Sequence, residues 1–101
     1  MNHRDRILLF EKTLNAEAQK RRDPELQKVD PVTGELRWIV QERMTMLHLT
    51  NGHRAANGKP PLVLKDIERV EGFAVGHSDY AHKFALYCAE LVIREPKGIQ
   101  P

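Results

Sequence analysis

The segment from Asp79 to Arg94 constrains the fold most, because at helical spacing it is apolar almost all round. At about 100° per residue, its polar residues gather in one narrow stripe: Asp79, Lys83, Glu90 and Arg94. Leu86 and Ile93 lie on the far side of this stripe. The rest of the helix is one wide apolar face that consists of Tyr80, Phe84, Tyr87, Cys88, Leu91 and Val92. Such a helix must be packed on several sides. We therefore predict that it is the central helix of the molecule or part of an oligomer interface.

A first helix is predicted from Arg4 to Arg22, where apolar residues recur at spacings of three and four. Glu17 and Arg21 are four residues apart with the acid first, which is the favourable order for a pair on an exposed helix face. The basic residues at the end suit the negative pole of the helix dipole. The apolar face consists of Ile7, Phe10, Leu14 and Ala18.

The stretch Asp30-Pro31-Val32-Thr33-Gly34 has the residue types of a tight turn, and a short helical turn is predicted just before it at residues 25–28. From Glu35 to about Ala56 we predict a second, longer helix that ends at Asn57-Gly58. An alternative makes residues 29–40 a β-hairpin around the turn, because several side chains there favour strands. The predicted inner face of the long helix consists of Leu36, Ile39, Val40, Met44 and Leu47.

The long helix also carries a second apolar surface. Trp38 and Leu49 are eleven residues apart, so their side chains project together, opposite the inner face. Another helix of the same chain could cover this surface. Alternatively it is an exposed partner site, since tryptophan is enriched at binding hot spots.

A third helix is predicted from Lys65 to Val75, closed by Gly76, with Ser78 as the cap of the last helix. Residues 95–101 are expected to form a loose tail. We therefore predict a single domain over residues 1–101 that folds as a small all-α bundle of about four helices with the last helix central. The alternative is an α+β fold with a short hairpin at residues 29–40.

The composition narrows the class of protein. A length of 101 residues with 41% hydrophobic and 30% charged residues fits one ordinary globular domain. Cys88 is the only cysteine, which excludes an intrachain disulfide and Cys-rich zinc patterns and favours a reducing cytoplasm. No apolar run approaches the length of a bilayer span, and no secretory leader follows Met1, so we expect a protein that is neither membrane-inserted nor exported.

Two blocks of the sequence resemble known proteins. The stretch Gly76-His77-Ser78-Asp79-Tyr80-Ala81-His82-Lys83-Phe84-Ala85-Leu86-Tyr87-Cys88-Ala89-Glu90-Leu91, with Asp30-Pro31-Val32-Thr33-Gly34-Glu35, resembles blocks of small uncharacterised accessory proteins of tailed bacteriophages and prophages. Together they cover about a third of the chain, and the motif carries no established chemistry. The resemblance implies a phage accessory protein made in the cytoplasm of a bacterial host. It also implies a function of binding and redirecting a host or defence protein.

Catalytic chemistry finds little support. His77, Asp79 and His82 are the best metal-ligand cluster, but a turn histidine and a surface pair account for them better. Cys88 lies on the wide apolar face, where a free cysteine behaves as a small hydrophobe. Ser78 is the only serine and is better used as a cap. We predict no catalytic residue, no metal and no cofactor.

Nucleic-acid binding is the leading alternative to protein binding. The last two predicted helices superficially resemble a helix-turn-helix, but the second opens with Asp79 and Tyr80 and is mostly apolar, which is costly in a groove. A basic patch could contact phosphates without sequence preference. It would use the basic end of the first helix, and the full set of phosphate contacts would be Arg4, Arg6, Lys20, Arg21, Arg22 and Lys28.

The sequence therefore favours a non-enzymatic protein that binds another protein, with self-association as a homo-oligomer also possible. The candidate partner-binding residues are Trp38 and Leu49, with Lys20, Arg21 and Arg22 as a second patch. The alternative is a nucleic-acid-binding accessory module that uses the basic end of the first helix.

Overall fold

The computed structural model describes residues 1–68 and 79–96 and is mostly helical (71%). In this part of the chain four α-helices follow one another, α1 (His3–Gln19), α2 (Arg37–Ala56), α3 (Leu64–Glu68) and α4 (Tyr80–Leu91). Two 3-10 turns, Lys20–Arg22 and Pro24–Gln27, connect α1 to the loop before α2. The described residues form no strand, so the predicted small all-α bundle is confirmed and the α+β alternative is wrong.

Helix α1 begins at His3, one residue before the predicted start, with Asn2 as its N-cap. The side chain of Asn2 accepts a hydrogen bond from the backbone N–H of Asp5 at 2.8 Å, which satisfies one of the free N–H groups of the first turn. The predicted apolar face is buried at Phe10 and Leu14, which are 0% and 1% exposed. The helix ends at Gln19, and the last three residues of the predicted span form a 3-10 turn instead.

The turn at residues 30–34 forms as its sequence predicts. The carboxylate of Asp30 accepts hydrogen bonds from the backbone N–H groups of Val32 (2.8 Å) and Thr33 (3.1 Å). Gly34 adopts a φ of 75°, which is the left-handed region that favours glycine. Val29 and Leu36 form a single antiparallel bridge, but pairing goes no further because α2 begins at the next residue.

Helix α2 buries a face that overlaps the predicted one only in part. Three residues of the predicted face, Ile39, Val40 and Met44, are only half-buried. Leu47 of that face is buried, with Arg43 beside it, and the other buried residues follow a four-residue spacing along the neighbouring side of the helix: Trp38, Glu42, Met46, Thr50 and Arg54. Three of these five side chains are polar, which is why apolar periodicity did not indicate that they are buried.

Helix α4 supplies much of the core. It packs most extensively against α1 and also contacts α2. Its far side is less buried than predicted, since Leu86 is half-buried and Ile93, just beyond the helix, is 46% exposed. The buried residues of the helix and the one that follows it are Tyr80, Phe84, Ala85, Cys88, Ala89, Leu91 and Val92.

The chain after α4 is fastened to the end of α2, so Glu95 and Pro96 are not part of the loose tail predicted for them. Arg54 is fully buried, and its guanidinium donates to both carboxylate oxygens of Glu95 at 3.2 and 3.1 Å. The same group donates to the backbone carbonyls of Pro60, Leu91 and Arg94. Pro96 is also fully buried.

Some predictions concern residues outside the described ranges. Of the third predicted helix, only the part within α3 is described, and the closing Gly76, the capping Ser78 and residues 97–101 lie outside. Within residues 1–68 and 79–96, no helix has both the length and the apolar character needed to cross a bilayer.

Candidate functional site

Most of the predicted partner-binding residues meet at one end of the bundle. The 3-10 turn with Lys20, Arg21 and Arg22 lies beside the start of α2, where Trp38 is located. Leu49 lies about three turns further along α2 than Trp38, where it is partly buried against the hydrophobic core. The structure therefore brings together four of the five residues and leaves Leu49 apart.

Arg21 organises this end of the molecule. Its Nε and one terminal nitrogen donate to the two carboxylate oxygens of Glu42 at 2.7 and 2.9 Å. Its guanidinium carbon also lies 4.4 Å from the ring centre of Trp38 and 5.7 Å from that of Tyr80. Arg21 is thus held by a bidentate ion pair and by two cation–π contacts.

This arrangement changes the interpretation of Trp38. The side chain is only 8% exposed and lies beneath Arg21, so it is not the exposed partner contact that its spacing allowed. The other possibility, cover from within the same chain, is the one that the structure shows. The predicted pairing of Arg21 with Glu17 is also wrong, because Glu17 is buried and accepts instead from Lys20 and from Thr45.

Burial shifts pKa values in the cluster formed by Arg21, Glu42, Trp38 and Tyr80. It raises the pKa of Glu42, which is 1% exposed, although the hydrogen bond from Arg21 opposes this effect. Burial, with a smaller contribution from the charge of Glu42, raises the pKa of Tyr80 to about 12. The hydrogen bond to Glu42 raises the pKa of Arg21, so Arg21 is charged and Tyr80 is protonated at neutral pH.

The basic patch is smaller than the sequence suggests. Arg21 is committed to Glu42, Lys20 lies 3.2 Å from Glu17, and Lys28 lies 2.9 Å from Glu25. Arg22 is exposed. Because each phosphate contact needs a cation that is free to leave its partner, this arrangement weakens the case for nucleic-acid binding.

A surface that the sequence did not single out lies next to this cluster. Val32, at the tip of the turn, is 91% exposed, and Val29 at its base is 57% exposed. We call residues 28–37 the valine turn. Lys28 and Arg37 at its two ends both pair with Glu25. The sequence did contain one signal of this surface. Val32 is a β-branched apolar residue in the middle of turn-forming residues, where the turn itself does not require one.

The residues proposed for a metal site do not come together in the described part of the chain. Asp79 lies 3.1 Å from Lys83, and His82 lies 3.2 Å from Glu11, both on the surface. His77 lies outside the described residues. Residues 1–68 and 79–96 contain no group of three or more His, Cys, Asp or Glu side chains placed to hold a metal ion.

Cys88 is expected to be chemically inert in the folded protein. It is 0% exposed, and burial raises the pKa of its thiol to about 12. Because the thiolate is the reactive form, Ellman's reagent should label the native protein very slowly and label it completely in denaturant. Rapid stoichiometric labelling of the native protein, measured at 412 nm, would show that the thiol is accessible.

The chain was also compared with known proteins. No protein-family model, no curated protein and no solved structure matches it.

Proposed function

We propose that this protein is non-enzymatic and acts by binding another protein through the valine turn. The observation that carries the proposal is the exposure of Val32 and Val29, 91% and 57%, on a turn whose backbone is already ordered. Single exposed apolar residues are common on protein surfaces. Two of them on one fixed turn form a contact that needs no further ordering of the chain when a partner binds.

Hydrogen bonds hold the turn in place. The backbone N–H of Asp30 donates to the carbonyl of Glu35 at 2.7 Å, and that of Gly34 donates to the carbonyl of Asp30 at 2.8 Å. Charged side chains lie around the two valines, as at the polar rim of an interface. Those of Lys28 and Arg37 are held together by Glu25.

The setting that we propose is phage infection, with a host or defence protein in the bacterial cytoplasm as the partner. The support is the resemblance described above, which includes the segment Asp30-Pro31-Val32-Thr33-Gly34-Glu35. This segment forms most of the valine turn. A second copy of the chain is the other protein partner to be considered, since the exposed valines would serve self-association equally well.

The test is retention of a partner by the tagged protein from nuclease-treated bacterial lysate. We expect the wild-type protein to retain a defined bacterial protein and the double variant Val29→Asp, Val32→Asp to retain at least about tenfold less, because a charge at a buried contact is strongly unfavourable. Val63→Asp is the matched control, since Val63 is 62% exposed but lies beyond the end of α2. Equal retention by all three proteins, or no retained protein, would exclude the valine turn as the contact.

Light scattering and a nucleic-acid probe separate the alternatives. A wild-type dimer that becomes monomeric in the double variant would identify the partner as a second copy. Binding of a DNA or RNA probe that weakens steeply with salt and with Arg22→Ala would instead favour the nucleic-acid module.

A further inference from the structure

At the opposite end of the α1–α2 pair, a buried arginine contacts a histidine. Arg6 of α1 is only 8% exposed, and its Nε donates a hydrogen bond to Nδ1 of His53 on α2 at 3.4 Å. Within residues 1–68 and 79–96, no carboxylate lies within ion-pairing distance of Arg6. Buried arginines are normally paired with an acid, so the choice of a histidine is unusual.

The direction of this hydrogen bond determines the protonation state of the ring. Arg6 can only donate, so Nδ1 of His53 must accept and carries no proton. The imidazole is therefore neutral, with its proton on Nε2. A second proton would have to enter at Nδ1, where it would replace the acceptor by a donor and place two cations against each other.

We propose that the contact between Arg6 and His53 is a pH-sensitive latch that holds the first turns of α1 against the end of α2 and opens when His53 is protonated. This inference does not depend on the proposed function, because the valine turn lies at the other end of the two helices.

The surroundings of His53 also disfavour its protonated form. Burial, Arg6 and the terminal ammonium at Met1 all lower the pKa of His53 below its ordinary value of 6.5. In the segment after α2, the side-chain amide of Asn57 donates a hydrogen bond to the backbone carbonyl of His53, and this amide carries no charge. From α1, the ring of Phe10 meets the imidazole edge-on at 5.1 Å between centres.

The effect on stability has a definite sign. The folded state takes up the proton at lower pH than the unfolded chain, so the contribution of this contact is fully present above about pH 6.5. It is lost progressively as the pH falls below that value. Each unit by which the folded pKa lies below the unfolded one corresponds to a factor of about ten in the folding equilibrium.

The experiment combines NMR titration of the histidine rings with thermal unfolding and amide hydrogen exchange at about pH 7.5 and about pH 5. We expect His53 to titrate below 6.5. In addition, the amides of the first turns of α1 should lose protection at the lower pH before the rest of the helix. His53→Gln should reduce the fall in Tm between the two pH values, because glutamine can accept from Arg6 but does not titrate.

His48→Gln is the matched control, because His48 lies on the same helix but is exposed. It should leave the pH dependence of wild type unchanged. Arg6→Met should raise the pKa of His53, which separates the effect of the arginine from that of burial. A His53 pKa at or above 6.5, or the same pH dependence in His53→Gln and wild type, would overturn the latch.

Discussion

Replacing Arg54 with alanine should lower the free energy of unfolding by about 3–5 kcal/mol, the range typical of breaking a buried charged network. Arg54 is 0% exposed and donates to Glu95 and to three backbone carbonyls. Without it, the carbonyls of Pro60, Leu91 and Arg94 lose a charged donor in a place where water enters with difficulty. Urea unfolding followed by circular dichroism at 222 nm measures the effect.

A control on the same helix makes this prediction specific. Arg37 also pairs with a carboxylate, but its side chain is 42% exposed, so Arg37→Ala should cost no more than about 1 kcal/mol. Arg54→Lys keeps the charge but loses the planar donor group, and we expect an intermediate loss. If Arg54→Ala and Arg37→Ala proved equally stable, the fastening of the chain after α4 to α2 would contribute little to the fold.

The second large effect is expected at the pair of Arg21 and Glu42. Arg21→Ala leaves the carboxylate of Glu42, which is 1% exposed, without its cation, and should cost about 3–5 kcal/mol of unfolding free energy. It also removes the cation that lies 4.4 Å above the ring of Trp38. Arg22→Ala, at the neighbouring exposed position, is the matched control and should change stability by about 0.5 kcal/mol or less.

A double-mutant cycle separates the pair from its surroundings. Because the main cost of Arg21→Ala is an unpaired buried charge, the double variant Arg21→Met, Glu42→Leu should recover most of the lost stability. The coupling energy is obtained from urea unfolding of the wild type, the single variants Arg21→Met and Glu42→Leu, and the double variant. A double variant whose loss equals the sum of the two single losses would show that the two residues act independently.

The helices and the turn before α2 were predictable because their signals are local. Apolar spacing located α1, α2 and α4, and the residue types of the turn at 30–34 fixed its conformation. These signals depend on the backbone periodicity and on the side chain's own hydrogen bonds, which do not require knowledge of distant parts of the chain. The ends of α1, α2 and α4 were correct to within about three residues.

The candidate site was predicted only in part. The sequence indicated Lys20, Arg21, Arg22 and Trp38, and the structure brings these together. However, Arg21 forms a partly buried ion pair with Glu42 and covers Trp38. The exposed valines on the adjoining turn were not predicted. Apolar periodicity identifies the buried face of a helix or strand. A turn has no such periodic face, so this method gives no information on whether its apolar residues are exposed.

The sequence by itself determined that the chain is helical, where its turn lies, and that Phe10, Leu14 and the wide face of α4 are buried. Only the tertiary structure decided which side of α2 faces inward. That side carries Glu42 and Arg54, whose partners Arg21 and Glu95 are 21 and 41 residues away in the chain. A charged residue is stable in a protein interior only where the fold places a counter-charge or a set of hydrogen-bond partners beside it, and helical periodicity contains no information about such distant partners.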